Sequence, residues 1–183
     1  MRLKLFRYLP LLVVALLASC SKQELETKYA TQEEQIERFV TSQQNRFRVV
    51  RNQGSSRIVM NEGLDQNREL LRDSLQYNDS VRFYYAGYIF SNGPGTLFAT
   101  NHEQTAAAKN FKVTDPNFDI EAWLYQRDQW IPGFERGMYG VRTGEHGYIV
   151  FSAKYGFGNE SLYSIPKLSA LIFEYWIEDV KKN

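Results

Sequence analysis

The chain has 183 residues, 43% of them hydrophobic and 15% aromatic, with a formal net charge of +1 at pH 7 and one cysteine. That length supports a single domain with a sizeable core. The balanced charge, with no basic stripe, excludes nucleic acid as a partner. A lone cysteine excludes a disulfide framework and cysteine-rich metal sites.

In chain order, "MRLKLFRYLPLLVVALLASC" (1–20) comes first, with Arg2, Lys4 and Arg7 ahead of an apolar run from Leu9 to Leu17 and then small residues. Basic start, short apolar middle and small-residue end form the layout of a secretory signal peptide over 1–19. The run is shorter than the about 20 apolar residues that a bilayer-spanning helix needs. The terminal "LASC" resembles the lipobox of bacterial lipoproteins, which implies lipidation of Cys20 and a membrane anchor made of several acyl chains. Removing 1–19 takes away three bases and no acid, so the charge moves from +1 to about −2. The expected location is the bacterial cell envelope, on the outer membrane facing the periplasm.

After Cys20 the sequence is polar. Residues 21–30 read as a tether and about 31–44 as an amphipathic helix, since Ile36, Phe39 and Val40 fall at i, i+3 and i+4. A domain is expected over 46–183. "RFRVV" and "SRIVMN" read as strands around the turn-forming "RNQGSS". "LDQNRELLRDSLQ" reads as a short helix or an irregular excursion. "SVRFYYAGYIF" (80–90) is the strongest strand, and "SNGPG" followed by "TLFATN" has hairpin chemistry. From His102 to Arg127 come an alanine-rich helix candidate, a "TDPN" turn and "FDIEAWLY". "HGYIVFSA" (146–153) and "ALIFEYWIEDV" (170–180) read as the last strands. The predicted class is α+β: a curved, mostly antiparallel sheet of about six strands wrapped around one short helix near Gly133–Met138, with an N-terminal helical extension.

No hydrolytic or metal constellation is present: there is no G-x-S-x-G, H-E-x-x-H or phosphate loop. His102 and His146 lie in polar contexts with no carboxylate at ligand spacing, and are expected at the surface. No cofactor is called for. "DSL" (73–75) and "DSV" (79–81) resemble a short bacterial O-glycosylation motif at Ser74 and Ser80, a pattern that chance readily produces.

The stretch "WIPGFERGMYGVRTGEHGYIVFSAKYGFGN", followed by "SIPKLSALIFEYWIE", is more specific. An apolar pair precedes a glycine-punctuated short helix and a Gly-Glu turn. A strand then leads to Tyr-Gly, and Ile-Pro precedes a strand carrying Leu-x-Phe. Together with "VRFYYAGYIF…GTLFATN", this resembles the FKBP family of peptidyl-prolyl isomerases over about residues 46–180. The resemblance implies an apolar slot for a proline ring, built from Tyr85, Phe98, Trp130, Phe134, Ile165 and Phe173. Ile131 would offer its backbone N–H, and Tyr155 its hydroxyl, to peptide carbonyls. Phe118 is a candidate for a further pocket phenylalanine. The partners implied are proline-containing exported polypeptides.

The departures bear on function. Ala99 stands where the family usually has an aspartate that orients a neighbouring tyrosine hydroxyl, and "KYG" replaces "AYG" around Tyr155. The sequence therefore leaves three readings open: an envelope isomerase assisting the folding of exported proteins, a non-catalytic module that binds a peptide or partner, and a lipoprotein with an unrelated sheet fold such as a surface glycan or adhesin module.

Overall fold

A computed structural model of the chain describes residues 9–63, 74–113, 118–120 and 122–183. Helix α1 spans Leu9–Gln43. Strands β1 (Arg48–Asn52), β2 (Ser55–Glu62), β3 (Ser80–Phe90) and β4 (Pro94–Thr100) follow. Next come the short helix α2 (Glu103–Ala108), the two-residue strand β5 (Trp123–Leu124), helix α3 (Pro132–Met138), β6 (Glu145–Phe151) and β7 (Leu171–Lys181). The pairing is antiparallel throughout, in the order β1-β2-β6-β7-β3-β4, with β5 on the first two residues of β3. The α+β class and the short helix near Gly133–Met138 stand as read from the sequence, and the alanine-rich helix candidate after His102 forms a second short helix, α2. The additional strand, β5, lies within "FDIEAWLY". The "TDPN" turn and most of "LDQNRELLRDSLQ" fall outside the described residues.

Strands β6, β7 and β3 are apolar almost without interruption because both of their faces are covered. Phe83, Ile149, Phe151, Phe173, Tyr175 and Ile177 point to one face and pack with Phe134 and Met138 of α3. Ala86, Tyr88, Val150 and Ile172 point to the other and meet Ile36 and Val40 of α1. Pro132 opens α3, where its missing N–H costs nothing. Gly133 and Gly137 let the helix lie on the sheet: a Cβ at either would stand 2.2 Å from the side chain of Phe151 or Ile149.

The extension differs from its sequence reading. Residues 21–30, read as a tether, are helical, and Tyr29 is buried. Few apolar residues mark this contact because polar groups carry much of it. The Gln32 side chain donates to the Leu168 carbonyl at 2.6 Å and accepts from the Ala153 N–H at 2.9 Å. Glu37 pairs with Arg51 at 2.6 Å, and the Phe39 ring meets Phe90 edge-on at 5.4 Å. Among the described residues no helix is long and apolar enough to cross a membrane.

The histidines differ too. Both are half-buried and flank Trp176 on the α1 side of the sheet, His102 at 4.1 Å and His146 at 5.0 Å between ring centroids. The β6–β7 register sets His146 opposite Trp176 and brings its Nε2 to 3.0 Å from Glu174. Burial lowers the His102 pKa below its ordinary 6.5; the Glu174 charge opposes this and His146 adds to it. The unfolded chain then binds the His102 proton more readily than the folded one. Stability should therefore fall as pH drops from about 6.5 toward the lower folded value. Urea unfolding at stepped pH is expected to show that slope, and His102→Asn to flatten it.

Candidate active site

A cavity of about 910 Å³ opens between α3, the inner face of β3, β4 and β7, and the segment joining β4 to α3. Its inner wall is a run of touching rings. Phe134 on α3 lies 4.8 Å from Phe173 on β7, and Phe98 on β4 meets Phe173 nearly perpendicular at 5.6 Å. Tyr85 on β3 is 6.3 Å from Phe173, while Trp130 is 5.6 Å from both Phe134 and Phe83. Strand alternation puts Phe83 and Tyr85 on one face of β3. The outer wall consists of Phe111, Val113, Phe118, Ile120 and Trp123, the last 55% exposed.

Trp130 and Ile131 are aimed by what holds the chain ahead of α3. Buried Glu135 accepts the Asp128 N–H at 2.8 Å and the Tyr77 hydroxyl at 3.1 Å, while the Tyr125 hydroxyl donates to the Glu135 carbonyl at 2.7 Å. The Ile131 carbonyl takes the first helical bond, from the Glu135 N–H at 3.0 Å. The Ile131 N–H has no backbone partner among the described residues.

Six of the eight residues expected at the slot line this cavity: Tyr85, Phe98, Trp130, Ile131, Phe134 and Phe173. Phe118 and Ala99 line it too. Tyr155 and Ile165 do not. Tyr155 ends a short 3-10 turn, Ala153–Tyr155, and its ring lies against Gly54 beneath the Arg136 guanidinium, 5.0 Å from the ring centre. The β1–β2 turn thus holds the hydroxyl-bearing ring that the resemblance assigned to peptide carbonyls. Ile165 is buried in the same core cluster as Phe134 and Phe173.

The residues that sequence reading missed are Phe83, Thr100, Asn101 and much of the outer wall. Asn101 accepts the Tyr85 N–H at 2.6 Å and donates to the Phe83 carbonyl at 3.2 Å, and the Thr100 hydroxyl donates to the Tyr85 carbonyl at 2.7 Å. These bonds extend the β3–β4 ladder and hold Tyr85 in place. Phe83 could have been found from its i−2 spacing to Tyr85; the outer wall has no periodic signal. Burial raises the Tyr85 pKa, so its phenol stays protonated and able to donate.

Chemically, this is an aromatic-walled cavity with Thr100, Asn101, Lys112 and Asp119 also in its lining, and with the Tyr85 phenol and Ile131 among its walls. Such a site can take an apolar ring out of water and hydrogen-bond a carbonyl. Residues 72–177 match the model of the FKBP-type peptidyl-prolyl cis-trans isomerases. The chain belongs to that family. It is 29% identical over 104 residues to the peptidyl-prolyl cis-trans isomerase FKBP9 of Rattus norvegicus, a match covering 57% of this chain and 15% of that protein's length. Two solved structures share the fold. The N-terminal domain of FKBP42 from Arabidopsis thaliana has a TM-score of 0.52 at 11% identity, covering 74% of this chain and 93% of that one. The three FKBP domains of wheat FKBP73 give 0.55 at 15% identity, covering 75% of this chain and 50% of that one.

Proposed function

We propose that this protein is a peptidyl-prolyl cis-trans isomerase carried on the bacterial envelope membrane by a lipid on Cys20, acting on proline-containing exported polypeptides. The observation that carries the catalytic reading is the aromatic cavity built on Phe134 and Phe173, with Tyr85 and Ile131 in its lining. Rotation about an X–Pro bond faces a barrier of roughly 18–20 kcal/mol and takes tens of seconds or more unaided. At the transition state the amide is twisted and its nitrogen has lost conjugation, so the bond is less polar than in the planar amide. A dry apolar slot stabilises that form over the planar ones, and a donor at the edge holds the carbonyl while the bond turns. Neither a nucleophile nor a metal takes part.

Ala99 favours a second reading, a module that binds proline segments without turning them over. Exchange spectroscopy by NMR on a short X–Pro peptide with the full chain separates the two. Acceleration is expected. Tyr85→Phe should lower kcat/KM by about 2- to 10-fold, equivalent to one hydrogen bond of about 0.5–1.5 kcal/mol. Tyr155→Phe should leave it within about twofold, because that ring packs on the β1–β2 turn. Peptide binding by folded protein without acceleration would establish the binding module instead.

A further inference from the structure

We infer that the loop joining β6 to β7 is a second membrane contact, seated in the surface of the bilayer that carries the anchor; this rests on the proposed lipid at Cys20. Residues 162–165 form a tight turn, with the Leu162 and Ile165 N–H groups each donating to the other's carbonyl at 3.0 and 2.8 Å. At its tip Tyr163 is 100% exposed with φ +50°, and Leu162 beside it is 39% exposed. A bulky residue in left-handed backbone is uncommon and costs conformational energy. Here it holds an aromatic ring fully in water, next to an apolar side chain.

The docking of α1 puts this loop at the end of the domain that the anchor approaches. From the C-terminal end of α1, Phe39 meets Phe90 near the β3–β4 turn, Glu37 meets Arg51, and Gln32 clamps Ala153 and Leu168. Tyr29 comes last, its hydroxyl beside Gly158. The chain running back to Cys20 therefore leaves the domain past the base of this loop, which is closed by the Leu168 N–H on the Gly158 carbonyl at 2.9 Å. It leaves as a continuation of the same helix. At about 1.5 Å per residue, Cys20 lies roughly 14 Å from Tyr29. The loop to Tyr163 runs through a turn closed by the Glu160 N–H on the Phe157 carbonyl at 3.1 Å, and it leaves the domain from the same base as the helix leading to Cys20.

The charges around it favour an apolar rather than an electrostatic contact. The loop carries Lys154, Lys167 and Glu160, and α1 ahead of Tyr29 carries Lys22, Lys28, Glu24 and Glu26, so neither sign dominates. Tyrosine suits the headgroup level, with its ring toward the hydrocarbon and its hydroxyl in water. Contact should therefore not require anionic lipid.

Depth-dependent quenching tests this on the full chain, lipidated and reconstituted in phosphatidylcholine vesicles with brominated acyl chains. Because Cys20 is the only native cysteine, Tyr163→Cys supplies a single free thiol for an environment-sensitive fluorophore. Glu178→Cys places the same label on an exposed position toward the other end of β7, away from the Leu171 end at which the β6–β7 loop emerges. Quenching several-fold stronger at 163 than at 178 is expected, and it should persist at high salt. Equal, weak quenching at both sites on protein whose mass shows acylated Cys20 would overturn the inference and leave the anchor standing. An unacylated Cys20 in protein made in a lipidating host would overturn both.

Discussion

Phe173→Leu should lower kcat/KM for X–Pro isomerisation by about tenfold or more while the domain stays folded. Phe173 is the hub of the slot, in ring contact with Tyr85, Phe98, Phe134 and Phe151, and it is 7% exposed. Leucine keeps the position apolar at a cost of roughly 1.5 kcal/mol in stability. It removes the flat face that keeps the other rings upright. A tenfold loss corresponds to about 1.4 kcal/mol of transition-state stabilisation, which one displaced wall of a desolvated slot can account for. Phe173→Ala would add a core cavity costing about 3–5 kcal/mol, so its lost activity could reflect unfolding. Circular dichroism and exchange NMR on the leucine variant answer the question directly. Native melting together with unchanged kcat/KM would remove Phe173 from the proposed site.

The largest loss of stability should follow from Arg57→Met. Arg57 is 4% exposed and its guanidinium serves two sets of partners. It donates to the carbonyls of Gly137 and Tyr139 at 2.8 Å and to Gly140 at 3.3 Å, satisfying the C-terminal end of α3. It also pairs with fully buried Glu145 at 3.2 Å, and Glu145 accepts the Tyr175 hydroxyl at 2.8 Å. Methionine fills the space but leaves the end of α3 without its donor and the buried carboxylate with only the more distant Arg48, at 3.9 Å. Breaking a buried pair on one side costs about 3–5 kcal/mol. In a chain of this size that lowers Tm by roughly 10 °C. The exposed pair Arg38–Glu34 is the control: Arg38→Met should cost under about 0.5 kcal/mol. Urea unfolding of the two variants compares them, and equal midpoints would refute the argument.

Much of this architecture was legible because it rests on short-range chemistry. The β-branched and aromatic runs of 80–90, 146–153 and 170–180, the Gly-Pro break after Phe90 and the Pro-Gly start of α3 set strand, turn and helix locally. The inward aromatics Tyr85, Phe98, Phe134 and Phe173 follow from the faces that those patterns define. What remained hidden was pairwise and distant. His146 comes to Glu174 and Trp176 only through the β6–β7 register. Tyr155 is held outside the slot by a turn about 100 residues earlier in the chain. The supposed tether continues a helix that is docked by Tyr29 and by the Gln32 amide, which finds two backbone groups more than 100 residues away. The outer wall of the cavity comes from residues of mixed polarity with no periodic signal, among them Trp123 of β5, which pairs with β3. Backbone preference and side-chain alternation are properties of neighbouring residues and can be read along the chain. Which polar group satisfies which, and which ring closes a slot, depends on distances that exist only after the sheet has formed.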